Sequence, residues 1–341
     1  MLETIWFLLW GVLWAVYFML DGFDLGLGTL APFIARSDVD KRVAYNSMGP
    51  FWDGNEVWLI TAGGVTFAAF PTTYAVMFNA LYTPLLLLLF GLIFRAVALE
   101  FRSKVNNDGW RKLWDACHFL GSFVPALLLG VAFANIFKGI PIDAEGDFQG
   151  NLLTLLNPYG LLGGILFVLL FLVHGALWLA IKAEVPLEER AGKAAGGIWW
   201  VLLVVAVIFL GATWFATGLY KNYLAYPALL LIPLITVVAL LATRVFIAKK
   251  AWWKAWFASS LTIVGATLFG VVGLYPNLFP SSLDPAYSLT IFNSASSPLT
   301  LKIMLGVALV FVPIVLIYQI WGYYLFKDKV TTEDLASDEA Y

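Results

Sequence analysis

TIWFLLWGVLWAVYFMLDGFDLGLGTLAPF, residues 4–33, is apolar for most of its length and is followed at once by Arg36, Lys41 and Arg42. A helix needs about 20 apolar residues to cross the hydrocarbon core of a bilayer. Backbone in lipid must satisfy its own hydrogen bonds, which selects helices over open strands. Eight further apolar stretches follow, at 51–70, 74–101, 114–137, 158–182, 197–218, 224–247, 254–274 and 299–326. With 61% hydrophobic and 12% charged residues and a mean hydropathy of +0.86, the chain reads as an all-α integral membrane protein of nine transmembrane helices.

The connections fix an orientation. Alternate loops carry Arg36, Lys41 and Arg42; Arg102, Lys104, Arg111 and Lys112; Lys182, Arg190 and Lys193; Arg244, Lys249, Lys250 and Lys254; and, in the tail, Lys327 and Lys329. The other side holds only Lys138, Lys221 and Lys302. The positive-inside rule then places the N-terminus outside and the C-terminus in the cytoplasm. The first span lacks a basic leader and contains two Asp, which argues against a cleaved signal peptide.

The net charge of −2 offers nothing to a nucleic acid. Cys117 is the single cysteine, so an intrachain disulfide, a redox dithiol and a covalent c-type haem site are excluded. The organisation expected is a first four-helix bundle at 1–138 carrying a buried polar cluster and a second at 139–274. A loop and the ninth span follow at 275–326, then a cytoplasmic tail at 327–341. The loops at 138–157 and 275–298 face outside, where they would cover a surface or touch a partner.

Ionisable residues concentrate in the first four spans. Asp21 and Asp24, and again Asp53 and Glu56, stand three apart and share a helix face. Glycines 22, 26 and 28 strip the first span for close helix approach or local unwinding. Arg95 and Glu100 are five apart and look to other helices for partners. With the orientation above, all of these fall toward the cytoplasmic end of their spans. A charge at membrane depth costs several kcal/mol and needs a reason. A proton intake path is one, since its groups must lose and regain protons. Helix clamping is the other. Asp53, next to Trp52, is the strongest candidate, paired with Arg95; Asp115 with Arg111 and Lys112 reads as a helix-start cluster, and Glu100 with Arg102 as an interfacial ion pair. His118 and His174 lack a matching second ligand for haem.

WDGNEVWLITAGG (52–64), DGFDLGLG (21–28), GSFVPALLLGVAFANIFKG (121–139), LLNPYGLLGG (155–164) and SPLTL (297–301) together resemble the second subunit of cytochrome bd quinol oxidase. The likeness runs in order from the first span to TTEDL in the tail. It implies a complex of the bacterial or archaeal cell membrane that oxidises quinol, reduces oxygen to water and builds a proton gradient. It further implies a heterodimer whose subunit I holds the b and d haems, with none liganded here. A small single-span accessory subunit, lipid, and a structural quinone in a lipid-facing groove of this chain belong to the same picture. By resemblance, the family's motif residues fall on Trp52, Asp53, Asp24, Arg95 and Glu100, with Asp21 and Glu56 beside them on the proton path. Two departures stand out: the loop at 219–223 is short, and Glu56 sits where some relatives carry Gln.

Two other functions compete. A stand-alone proton-coupled secondary transporter would use the same acids and a helix broken at midplane, for which the glycines of span 1 are the candidate. A purely scaffolding subunit would use them only to hold helices together.

Overall fold

The computed structural model describes residues 1–336 and 341. It is a bundle of thirteen α-helices: α1 Leu2–Ile34, α2 Asp38–Met48, α3 Trp52–Ala69, α4 Pro71–Ala80, α5 Tyr82–Phe101, α6 Asp108–Lys138, α7 Leu152–Leu155, α8 Pro158–Lys182, α9 Leu187–Ala216, α10 Tyr220–Ala225, α11 Leu231–Ala248, α12 Trp252–Leu274 and α13 Pro298–Leu325. Among the described residues, eight helices are long and apolar enough to cross a membrane. The expected span at 51–70 falls on α3, which is not one of them: its 18 residues include Asp53, Asn55 and Glu56. The expected span at 74–101 is two helices, α4 and α5, parted at Leu81. Between the first two expected spans the chain forms α2, which the apolar pattern did not announce. Ser37 caps it, with Asp40 completing a capping box.

α1 is the hub. It packs along α3 and α6 on one side and along α8 and α12 on the other, burying Trp10, Tyr17, Phe18 and Phe23 almost completely. The hydrophobic effect drives little helix association inside lipid, so close backbone approach and van der Waals packing must do it. Gly26 shows how: a Cβ there would land on the carbonyl oxygen of Phe171 in α8. α1 stays an unbroken helix through its glycines, so they serve approach rather than unwinding.

At one face the two long loops meet. Ile140 N–H donates to the Pro280 carbonyl and its carbonyl accepts from Ser282 N–H, each at 3.0 Å. A small hairpin, β1 Asn277–Phe279 with β2 Leu289–Thr290, completes that surface. α13 lies at the edge and is almost wholly exposed apart from Leu301. It is stapled at its ends, by Trp6 Nε1 donating to the Leu301 carbonyl at 3.0 Å and by Trp58 Nε1 donating to Gln319 Oε1 at 2.8 Å. The tail then folds back: Lys182 Nζ donates to the carbonyls of Phe326 and Asp328.

Candidate functional site

Three helices converge on Arg95. Its place in α5 leaves the side chain 1% exposed. Nη1 donates to Asp21 Oδ1 of α1 at 2.6 Å, and Nη2 donates to Glu56 Oε2 of α3 at 2.8 Å. Asp21 is fully buried, whereas the Glu56 side chain keeps 23% exposure. One turn further along α1, Asp24 Oδ2 accepts from Asn55 Nδ2 at 2.7 Å. Asn55 Oδ1 in turn accepts from Tyr323 O–H of α13 at 2.7 Å. The spacing of three on α1 therefore works as read, with both carboxyls facing the α3–α5 side.

The cluster is unbalanced. Asp21, Asp24 and Glu56 surround a single guanidinium. Among the described residues, Asp24 Oδ1 and Arg95 Nε are buried with no hydrogen-bond partner, and the buried Tyr17 hydroxyl lies beside Asp21. Buried polar atoms are rarely left so, and a group of them in one place marks a site for water or for proton exchange.

The expected pairing of Asp53 with Arg95 is corrected. Arg95 chooses Asp21 and Glu56, and Asp53 is exposed with no ion pair among the described residues. Three residues along a helix are about 60° apart in azimuth, enough to turn Glu56 inward and Asp53 outward. Glu100, one of the expected path residues, is exposed too. Trp52 is mostly buried, with Nε1 donating to the Tyr341 hydroxyl at 3.4 Å. Partial burial, and then the nearby charges of Glu100 and Asp53, push that hydroxyl up from its usual range, against the lowering effect of Trp52. The two exposed acids and Trp52 thus gather at the tip of the tail, whose residues 337–340 lie outside the described ones.

A second polar cluster overturns two further expectations. Asp115 accepts from Lys41 Nζ at 2.7 Å, from Tyr45 O–H at 2.7 Å and from Arg102 Nε at 2.6 Å. Arg102 Nη2 reaches Asp38 at 2.7 Å. Asp115 is thus no simple partner of Arg111 and Lys112, and Arg102 leaves Glu100. Lys41, Tyr45 and Asp38 belong to α2, so missing that helix hid the network.

Both histidines lie buried inside the bundle. His118 is 2% exposed, with its ring edge-on to Tyr45 at 4.8 Å and Nε2 only 2.9 Å from where a Cβ on Gly28 would sit. His174 stacks on Trp256 at 5.0 Å, and its Nε2 lies 3.0 Å from the Met19 carbonyl oxygen. An apolar cleft of about 100 Å³ lies between α6, α8, α9, α11 and α12, lined by Phe133, Phe167, Leu202, Phe209, Thr262 and Phe269 among others.

The family model described as cytochrome bd terminal oxidase subunit II matches residues 2–326. Cytochrome bd ubiquinol oxidase subunit 2 of Bacillus subtilis is 36% identical over 337 residues, covering 98% of each chain. Cytochrome bd-I ubiquinol oxidase subunit 2 of Escherichia coli K12 is 37% identical over 372 residues, covering 98% of this chain and 96% of its own. A chain in the structure of bd oxidase from Geobacillus thermodenitrificans superposes with a TM-score of 0.73 at 18% identity, over 95% of this chain and 97% of the other, which shows a shared fold. A family match over nearly the whole chain, relatives above one-third identity end to end and the same fold leave one assignment: this chain belongs to the cytochrome bd terminal oxidase subunit II family.

Proposed function

We propose that this chain supports a haem-bearing subunit I in oxidising quinol and reducing oxygen to water, and that its α1–α3–α5 cluster takes up protons from the cytoplasm. The topology that goes with this reading is nine spans, with the N-terminus outside and the C-terminus inside. Trp52, Asp53 and Glu100 form the mouth. Asp24 lies one turn nearer the cytoplasmic end of α1, and Glu56, half turned to the surface, passes protons to the Arg95–Asp21 pair, where Asp21 holds the innermost carboxyl. The observation that carries this reading is the set of three carboxyls around one buried guanidinium, with unpartnered polar atoms among them. A cluster built only to clamp helices would be neutralised and fully bonded.

The haems belong to subunit I in this reading, since the histidines here are walled in by Tyr45, Gly28 and Trp256. Part of this reading is a structural quinone held in a lipid-facing groove of this chain. The division into bundles at 1–138 and 139–274 is kept as a description of how the polar and apolar halves differ. The unbroken α1 removes the feature that favoured a transporter.

The test is Asp24→Asn and Asp53→Asn, made separately in the complex with subunit I. Each is expected to keep the haem absorbance and lower turnover at least about tenfold, roughly 1.4 kcal/mol on the barrier. Turnover at the unmodified rate in both would end the proton-path reading; loss of haem and partner would support the clamp.

A further inference from the structure

The lysine-rich membrane face holds a second feature that proton uptake does not use. α11 and α12 are joined there by Lys249, Lys250 and Ala251. Between the two helices runs an open groove of about 560 Å³. Leu234, Val238, Ala242 and Phe246 line it from α11, Phe257 and Leu261 from α12, and Lys254 alone supplies a charge. Phe257 is 60% exposed, so the groove opens outward rather than into the bundle.

The charges at its lysine-rich end are uncompensated. Lys193, Arg244, Lys249 and Lys254 have no carboxylate within ion-pair distance among the described residues. The nearby acids are already engaged: Glu189 with Lys250 at 3.2 Å and Glu188 with Lys329 at 2.6 Å. Lys250 adopts a left-handed backbone, φ 53°, where glycine or asparagine would sit without strain. Its side chain reaches Glu189; Lys254 lines the groove, and Lys249 lies in the turn that joins the two helices.

An apolar trough in the membrane that ends in unpaired ammonium groups at headgroup depth has the chemistry of an anionic phospholipid site. We propose that the α11–α12 groove binds one anionic phospholipid, an acyl chain lying along Leu234–Phe246 and the phosphate resting on Lys254 and Lys249. Zwitterionic lipids gain the same apolar contact and carry the same phosphate, but their choline or ammonium group is repelled by the lysines, so they are discriminated against.

The complex with subunit I, purified in mild detergent, is mixed with equal amounts of phosphatidylglycerol and phosphatidylcholine, and retained lipid is counted by native mass spectrometry. The intact complex is expected to retain phosphatidylglycerol over phosphatidylcholine. Lys249→Gln with Lys254→Gln should lower phosphatidylglycerol retention at least about fivefold, as expected for loss of headgroup charge contacts, with phosphatidylcholine unchanged. Ala242→Phe with Ala258→Phe fills the trough, keeps the charges and should lower it too. Lys249→Arg with Lys254→Arg should retain it, and unchanged haem absorbance reports assembly for every variant. Equal retention in the Gln pair overturns the proposal. So does loss in the Gln pair without loss in the Phe pair, which would mean diffuse surface attraction and no site.

Discussion

Removing the guanidinium of Arg95 is the sharpest perturbation the structure offers. Arg95→Leu keeps the apolar stem and deletes the one cation among the described residues that pairs with Asp21, which is completely buried, and Glu56, which is not. Deleting one partner of a buried ion pair costs about 3–5 kcal/mol, because the remaining charge is stranded. Glu56 keeps some solvent and contributes the smaller share, so most of the loss belongs to Asp21. A loss of that size is a large part of a typical net stability. The complex should therefore show a clearly lower thermal midpoint, or fail to keep its partner in detergent. Arg95→Leu with Asp21→Asn removes the stranded charge and should recover much of that loss while turnover stays low. The assay is thermal unfolding of the purified complex followed by haem absorbance. If Arg95→Leu matches the unmodified midpoint, or if Asp21→Asn brings no recovery, the buried ion cluster is not what holds these helices.

The other expectations are briefer. Gly26→Leu drives a side chain into the α8 backbone at Phe171 and should abolish assembly, while Gly63→Ala, with open space around it, should assemble normally; co-purification with subunit I distinguishes them. Despite some burial, which acts the other way, Arg190 and the backbone N–H groups of Arg36 and Ser37 hold the Asp40 carboxyl below the usual carboxylate range. Asp40→Asn should cost about 1 kcal/mol as a weakened cap. That difference should be full above pH ~4, the unfolded-state value, and vanish as pH falls below it, read from thermal midpoints against pH. A reporter fused after Tyr341 should be active only in the cytoplasm; a signal outside would reverse the orientation.

Hydropathy made the long spans legible because lipid exposes their requirement at every residue. α8 was read at 158–182, and that is where it lies. α2 escaped because it is polar and short, and its signal was the capping box of Ser37 and Asp40 rather than any apolar run. With it went the network of Asp115, Tyr45 and Arg102, whose partners stand up to 74 residues apart. The acids of the central cluster were found by depth and spacing. Their pairing was not, because a choice between Asp53 and Glu56 rests on helix azimuth against a neighbour, which a single chain does not print. The glycines of α1 were ambiguous alone and became clear only against their neighbours: Gly22 and Gly26 meet Phe171 of α8, and Gly28 meets Ser122 and His118 of α6.

The hub position of α1 has a consequence in time. It is made before its partners here, and Arg95, the partner of Asp21, follows 74 residues later. At about 5–20 residues per second of synthesis, α1 waits about 4–15 s with Asp21 unmatched. Asp24 meets Asn55 once α3 is made, but nothing made before α5 relieves Asp21, since α2, α3 and α4 bring no cation to it. The hazardous interval in the biogenesis of this chain therefore closes when α5 arrives, well before the last helix is translated, and a ribosome stalled between α3 and α5 would leave the most degradable of its intermediates.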